Sequence, residues 1–142
     1  MSARWLARGL AAERLIFAPR VSPERYRARL ALADLFLDTF PYNAGTIASD
    51  ALRMGLPLLT LQGRAFAARM AASLLTSIGL DECIATDLDD YVAKAVAIGR
   101  EPARLALLKA HLAGDRWSRT LGDSRSFTRR FEAAYRSVVR RP

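Results

Sequence analysis

Cysteine and histidine are almost missing from this 142-residue chain, with Cys83 and His111 the sole example of each. A single cysteine excludes an internal disulfide and fits a reducing, cytoplasmic setting. Cys83, beside Ile84, reads as a small buried hydrophobe. His111 falls mid-way along a helical pattern with no second ligand-like residue at useful spacing, so it reads as surface or structural. No Cys/His cluster supports a metal site, and no metal cofactor is expected. No apolar run approaches the roughly 20 residues that span a bilayer, so no membrane partner is expected. The first residues, MSARWLARGLAAERL, lack the uninterrupted apolar core of a secretory signal. There is no G-x-S-x-G, no nucleophile–base pair in sequence, no G-x-G-x-x-G and no P-loop. Internal repeats and low-complexity segments are also absent.

What is present is enough apolar material for a core: 51% of residues are hydrophobic, and the length suits one domain over residues 1–142. The net charge of +8 comes almost wholly from arginine. It favours anionic partners without choosing between nucleotide, nucleic acid and membrane surface. Arginines crowd the last stretch (Arg116, Arg119, Arg125, Arg129, Arg130, Arg136, Arg140, Arg141). There Phe131, Tyr135 and Val138 follow a helical core stripe rather than a base-stacking array, so a solvated face is expected and nucleic acid is not.

The informative stretch is Ala33 to Gly63. An apolar run, Leu35 to Leu37, ends at Asp38. A turn-rich loop, Thr39 to Gly45, leads to a helical pattern over Thr46 to Met54, which Gly55 and Pro57 stop. A second apolar run, Leu58 to Leu61, closes it. This spacing predicts a βαβ unit with two parallel neighbouring strands. Ligands of such units bind at the loop leaving the carboxyl end of the first strand, here Asn43 to Asp50. Backbone N–H groups of Gly45, Thr46 and Ile47 have no partner inside the helix, and the helix dipole favours an anion there. Asp50 lies one turn beyond Thr46 on the same face, placed for a diol such as a ribose. Two readings stay open: phosphates on the helix end with a sugar on the acid, or a plain helix capped by Thr46 or Asn43 with Asp50 solvated.

Elsewhere the pattern predicts a helix tail over residues 2–9 and a strand over Arg14–Ala18. That beginning reads as a domain cut into at its N-terminus. A turn over Pro19–Pro23 follows, then an arginine-bearing helix from Pro23 to Leu32 with Tyr26, Leu30 and Ala33 inward. A helix over Ala65–Ile78 spaces Phe66, Met70, Leu74 and Ile78 by four, and Gly79 stops it. A connection or edge strand covers Asp81–Ala85. Next comes a helix over Thr86–Gly99, capped by Thr86 or Asp87, with Tyr91, Val92, Ala95, Val96 and Ile98 apolar. Another runs from Glu101 to about Ser118, with Leu105, Leu108 and Leu112 inward. The last spans Phe127–Arg140, with Phe131, Ala134, Tyr135 and Val138 on one side. The fold expected is α/β: a Rossmann-like parallel sheet flanked by helices and closed by C-terminal helices.

The stretch LADLFLDTFPYNAGTIASDALRMGLPLLTLQGRAFAARMAASLL resembles the C-terminal catalytic part of the protein O-GlcNAc transferase family. Those are GT-B glycosyltransferases, often with tetratricopeptide repeats upstream. The family pattern is close to L-A-D-x-x-L-D-T-x-x-x-N-x-H-T-T-x-x-D-x-L-x-x-G-x-P-x-x-T, then A-S-R-x-A-x-S. Asp34, Asp38, Thr39, Asn43, Thr46, Asp50, Leu52, Gly55, Pro57 and Thr60 match it, as do Arg69 and Ser73 later. RLIFAP, Arg14 to Pro19, also looks like the family. The resemblance implies a lobe binding UDP or UDP-GlcNAc without a metal, for transfer to protein Ser/Thr. By it, Asn43, Ala44, Gly45, Thr46 and Ile47 belong to the diphosphate loop and Asp50 takes the ribose. Arg29 and the backbone near Val21 lie at the uracil, with Tyr26 stacking on the base.

The chain departs from the pattern where the family has His (Gly45), a second Thr (Ile47), a helix His (Tyr26) and a Lys (Pro23). The family lysine that steadies the leaving diphosphate, and the other lobe, fall upstream of residue 1. No catalytic residue is therefore assigned, and the chain alone is expected to transfer little. A protein acceptor and an N-terminal lobe or repeat partner are the expected associates. The alternative is a non-catalytic nucleotide-binding or protein-interaction module derived from that lobe.

Overall fold

The computed structural model describes residues 2–139. Eleven elements follow one another. They are helix α1 (Ser2–Leu6), α2 (Pro23–Leu30), strand β1 (Phe36–Leu37), α3 (Thr46–Arg53), β2 (Leu58–Leu61), α4 (Met70–Ile78), β3 (Ile84–Ala85), α5 (Leu88–Arg100), α6 (Pro102–Leu112), α7 (Arg116–Arg119) and α8 (Ser124–Val139). Single 3-10 turns precede α2, α4 and β3.

The sheet is parallel, in the order β1-β2-β3. Phe36 pairs with Leu58 and Leu37 with Leu59, so the predicted βαβ unit is present with its two strands parallel neighbours. Leu58, Leu59 and Thr60 are all fully buried. Successive strand residues point to opposite faces, so β2 is covered on both. Helices α3 and α4 pack on each other and on β2, while α5 packs on β2 and β3 and carries α6. One core cluster joins these layers through Leu52, Leu58, Leu75, Ile78, Ile98 and Leu108. A smaller one, Leu30, Ala51 and Leu56 with Tyr26 and Met54 against it, fixes α2 to α3.

Local chemistry explains the element ends. Ser22 caps α2 by accepting the Arg25 N–H, and Pro23 occupies its first turn. Asp87, not Thr86, caps α5, accepting the Asp90 N–H at 2.8 Å. Gly79 ends α4 in the left-handed region at φ 80°. A methyl group there would meet the His111 ring at ordinary contact, 3.7–3.8 Å. Gly79→Ala is therefore expected to cost only the backbone term, about 1 kcal/mol, read as a lower urea midpoint at unchanged slope. His111 itself is structural, its Nε2 lying 2.9 Å from the Ile78 carbonyl.

Several expectations fail, each for a visible reason. Residues 14–18 form no strand: among the described residues no strand lies beside them, and Ile16 and Phe17 are exposed. Ala33 is exposed, because α2 already ends at Leu30. Phe66 is 75% exposed, and the buried stripe of α4 is Ala71, Leu75 and Ile78 instead. The helix starts only at Met70, after a 3-10 turn over Phe66–Arg69 that leaves Phe66 outside it. Val92 and Val96 are also exposed, so α5 buries a narrower face than its sequence offers. The predicted helix over 101–118 divides at Gly114, φ 70°. Finally, α8 buries no residue: Phe127, Phe131, Tyr135 and Val138 are all exposed, with the two phenyl rings stacked at 6.0 Å. Its predicted last residue, Arg140, and Arg141 lie outside the described residues.

Candidate functional site

The site is built where β1 hands over to α3. Asp38 follows the last residue of β1 and is 5% exposed. Its Oδ1 accepts the backbone N–H groups of Thr39 and Ala44, both at 2.8 Å. Its Oδ2 accepts the Thr60 hydroxyl at 2.6 Å. The Asp38 carbonyl in turn accepts the Tyr91 hydroxyl of α5 at 2.9 Å. Burial, and secondarily the negative charge of Asp38, push the Tyr91 phenol above its ordinary pKa, which keeps it a donor.

Asn43 is buried inside the loop. Its backbone N–H donates to Ala67 O, and its amide nitrogen donates to Thr39 O at 2.9 Å and Leu61 O at 3.3 Å. The Asn43 Oδ1 accepts from nothing among the described residues, a standing cost of about 1–3 kcal/mol for a buried acceptor. Asn43 therefore staples the loop to the end of β2 and does not cap α3.

The first turn of α3 is uncapped. Gly45 precedes it and no side chain accepts from its N–H groups. The first backbone bond into the helix is Ser49 N–H to Gly45 O, leaving the Gly45, Thr46 and Ile47 N–H groups open among the described residues. Thr46 and Ile47 are exposed, while Ala44, Gly45 and Asp50 are half-buried. No hydrogen bond or ion pair holds the Asp50 carboxylate among the described residues. The capped-helix reading by Thr46 or Asn43 does not describe this terminus. A positive helix end with free donors, and an unengaged acid one turn behind, can take an anion and an adjacent diol.

The second group of predicted residues lies on α2 and on the segment just before it. Val21, Tyr26 and Arg29 line one cleft of about 550 Å³ together with Pro19, Arg20 and Pro23. The Arg29 guanidinium donates to Pro19 O at 3.0 Å and lies 5.6 Å from the centre of the Tyr26 ring. This pairing presents a flat aromatic and a planar cation on one wall. Helix α2 packs on α3 through Leu30, Ala51 and Leu56.

Sequence reasoning missed Asp38, Thr60 and Tyr91 as parts of the site. The first two were within reach. Parallel pairing of Phe36 with Leu58 and Leu37 with Leu59 sets Asp38 opposite Thr60. An acid and a hydroxyl facing each other at the carboxyl ends of two paired parallel strands is a signal in itself. Tyr91 had no such marker.

The sequence model of glycosyl transferase family 41 matches residues 1–131. A probable UDP-N-acetylglucosamine–peptide N-acetylglucosaminyltransferase SPINDLY of Solanum lycopersicum is 36% identical over 111 residues, 78% of this chain and 12% of that protein. The UDP-N-acetylglucosamine–peptide N-acetylglucosaminyltransferase of Caenorhabditis elegans is 34% identical over 120 residues, 84% of this chain and 10% of that protein. Among solved structures, a mutant of the Thermobaculum terrenum O-GlcNAc transferase matches with a TM-score of 0.83 and 37% identity, over 96% of this chain and 27% of that one. The chain thus spans about a tenth of the relatives' length and about a quarter of the solved enzyme's. Its α/β sheet and flanking helices are those of the GT-B enzyme it matches. The pattern of sequence and the arrangement of strands agree, and the chain belongs to glycosyl transferase family 41.

Proposed function

We propose that this chain is the donor-binding lobe of an enzyme that transfers N-acetylglucosamine from UDP-GlcNAc to protein serine or threonine. The observation that carries the reading is the open first turn of α3 at the carboxyl end of β1, with the unengaged Asp50 behind it. In this reading the diphosphate sits on the N–H groups of Gly45, Thr46 and Ile47, and Asp50 accepts the ribose hydroxyls. Val21, Tyr26 and Arg29 receive the uracil. As the sugar–phosphate bond breaks, negative charge collects on the departing diphosphate. Fixed amides and the helix dipole stabilise that charge without reorganising. No side chain of the chain is assigned to the chemical step, so transfer needs a second lobe supplying cationic donors and the acceptor wall.

A second reading, a non-catalytic nucleotide-binding or protein-interaction module, draws on Gly45. A Cβ at that position would stand 3.2 Å from the Met70 methyl carbon, so a side chain enters there only if the Met70 side chain shifts. Calorimetric titration of the purified chain with UDP, in EDTA, separates the two. Saturable binding that Asp50→Ala weakens at least tenfold is the expected result. A folded chain that takes up no UDP at millimolar concentration would overturn the donor reading in favour of the interaction module.

A further inference from the structure

We infer that Asp38 is a positioning residue for the donor diphosphate, acting through the backbone of Ala44 and the first turn of α3. The inference rests on the reading above and specifies what keeps that helix start in place. Open amides bind an anion well only when they are fixed beforehand. Here the loop of residues 39–45 connects β1 to the helix, and α3 has no side-chain cap to anchor its start. The anchor comes from below. Oδ1 of Asp38 gathers the N–H groups of Thr39 and Ala44, which are the first and the penultimate residues of the loop. Oδ2 takes the Thr60 hydroxyl, tying the same carboxylate to the central strand. Tyr91 holds the Asp38 backbone from α5. Ala44 directly precedes Gly45, so the carboxylate sets where the three open N–H groups stand relative to the sheet.

Residue type matters here. All three donors are directed at a group that only accepts, and hydrogen bonds to a carboxylate are about twice as strong as neutral ones. An amide at this position presents one acceptor oxygen and turns an NH2 toward Thr60. The loop would still form, but with weaker closure. The cleft of Val21, Tyr26 and Arg29 shares no hydrogen bond with Asp38, so uridine, which lacks the diphosphate, serves as an internal control.

The test is an NMR titration of the full chain with UDP and with uridine, for wild type, Asp38→Asn, Thr60→Val and Thr60→Ser. Asp38→Asn is expected to weaken UDP at least tenfold while the uridine affinity stays within twofold. Thr60→Val should weaken UDP about threefold to fivefold, and Thr60→Ser, which keeps the hydroxyl, should restore it. Wild-type UDP affinity in Asp38→Asn, or an equal loss for UDP and uridine, would overturn the positioning role. A wild-type chain that fails to bind UDP refutes the donor reading in its own arm and the inference with it, so the two failures are told apart. If Asp38→Asn does not fold, the Thr60 pair decides alone: equal UDP affinity in Val and Ser variants overturns the role.

Discussion

Leu75→Ala is expected to lower the unfolding free energy by about 3 kcal/mol, within the range of roughly 2–5 for emptying a buried leucine site. Leu75 is fully buried and lies in the core cluster that joins α3, β2, α4 and α5. The loss has two parts. Transfer of the removed methyl groups accounts for a share, and the cavity left among close-packed neighbours accounts for the rest. A domain of this size has only about 5–15 kcal/mol in total, so one substitution removes a large fraction. Urea denaturation checks it, with a lower midpoint at unchanged slope. Phe66→Ala is the companion measurement. Phe66 is the larger side chain and stands four residues before Met70, yet it is 75% exposed, so its removal should cost under about 0.5 kcal/mol. A larger loss at 66 than at 75 would mean that the segment buries the stripe its sequence suggests and not the one described.

Cys83 should resist alkylation in the folded chain by about two orders of magnitude. Burial raises its thiol to about 11, with the Glu82 charge adding to the effect and Arg104 and Lys94 opposing it. An unfolded cysteine ionises near 9 by the same scale, and only the thiolate reacts. At pH 8 iodoacetamide should therefore label native protein about 100-fold more slowly than protein in urea, before any further protection from burial. The same shift makes stability depend on alkaline pH. Between pH 9 and 11 the unfolded thiol has lost its proton while the native one keeps it, so the unfolded state binds fewer protons and stability falls as pH rises. A displacement from 9 to about 11 corresponds to roughly 2–3 kcal/mol, fully present below pH 9 and gone above pH 11. Tyr91 is also raised and acts in the same direction. Comparing wild type with Cys83→Ala at pH 8 and pH 10.5 isolates the thiol: the variant should lose less stability on going up.

What could be read in the sequence was what local rules decide. Leu58–Leu61, Thr46–Arg53, the Gly79 stop and the Asp87 cap follow from short apolar runs, turn residues and capping chemistry. The loop of residues 43–50 was legible for the same reason, since open amides belong to any helix start. What was not legible depends on neighbours. Arg14–Ala18 has strand composition, but a strand exists only against a partner, and composition does not say whether one is there. Phe66 falls off the α4 face because a 3-10 turn over Phe66–Arg69 stands between it and the helix, which begins at Met70. The role of Asp38 was not legible because it lies in three donors brought together from Thr39, Ala44 and, 22 residues along the chain, Thr60.

The bare apolar stripe of α8 has a consequence for how much helix the chain contains. Sixteen residues with no buried side chain draw little stability from packing, and an isolated helix of that length is marginal in water. What remains is intrinsic propensity, the Asp123 carboxylate accepting the Ser126 N–H at 2.9 Å, the Phe127–Phe131 stack, and the Arg136–Glu132 pair at 3.0 Å, the last worth a few tenths of a kcal/mol. The coil–helix balance of this segment is thus poised. Anything that covers Phe127, Phe131, Tyr135 and Val138 shifts that balance toward helix, and ellipticity at 222 nm becomes a direct gauge of whether the stripe is covered.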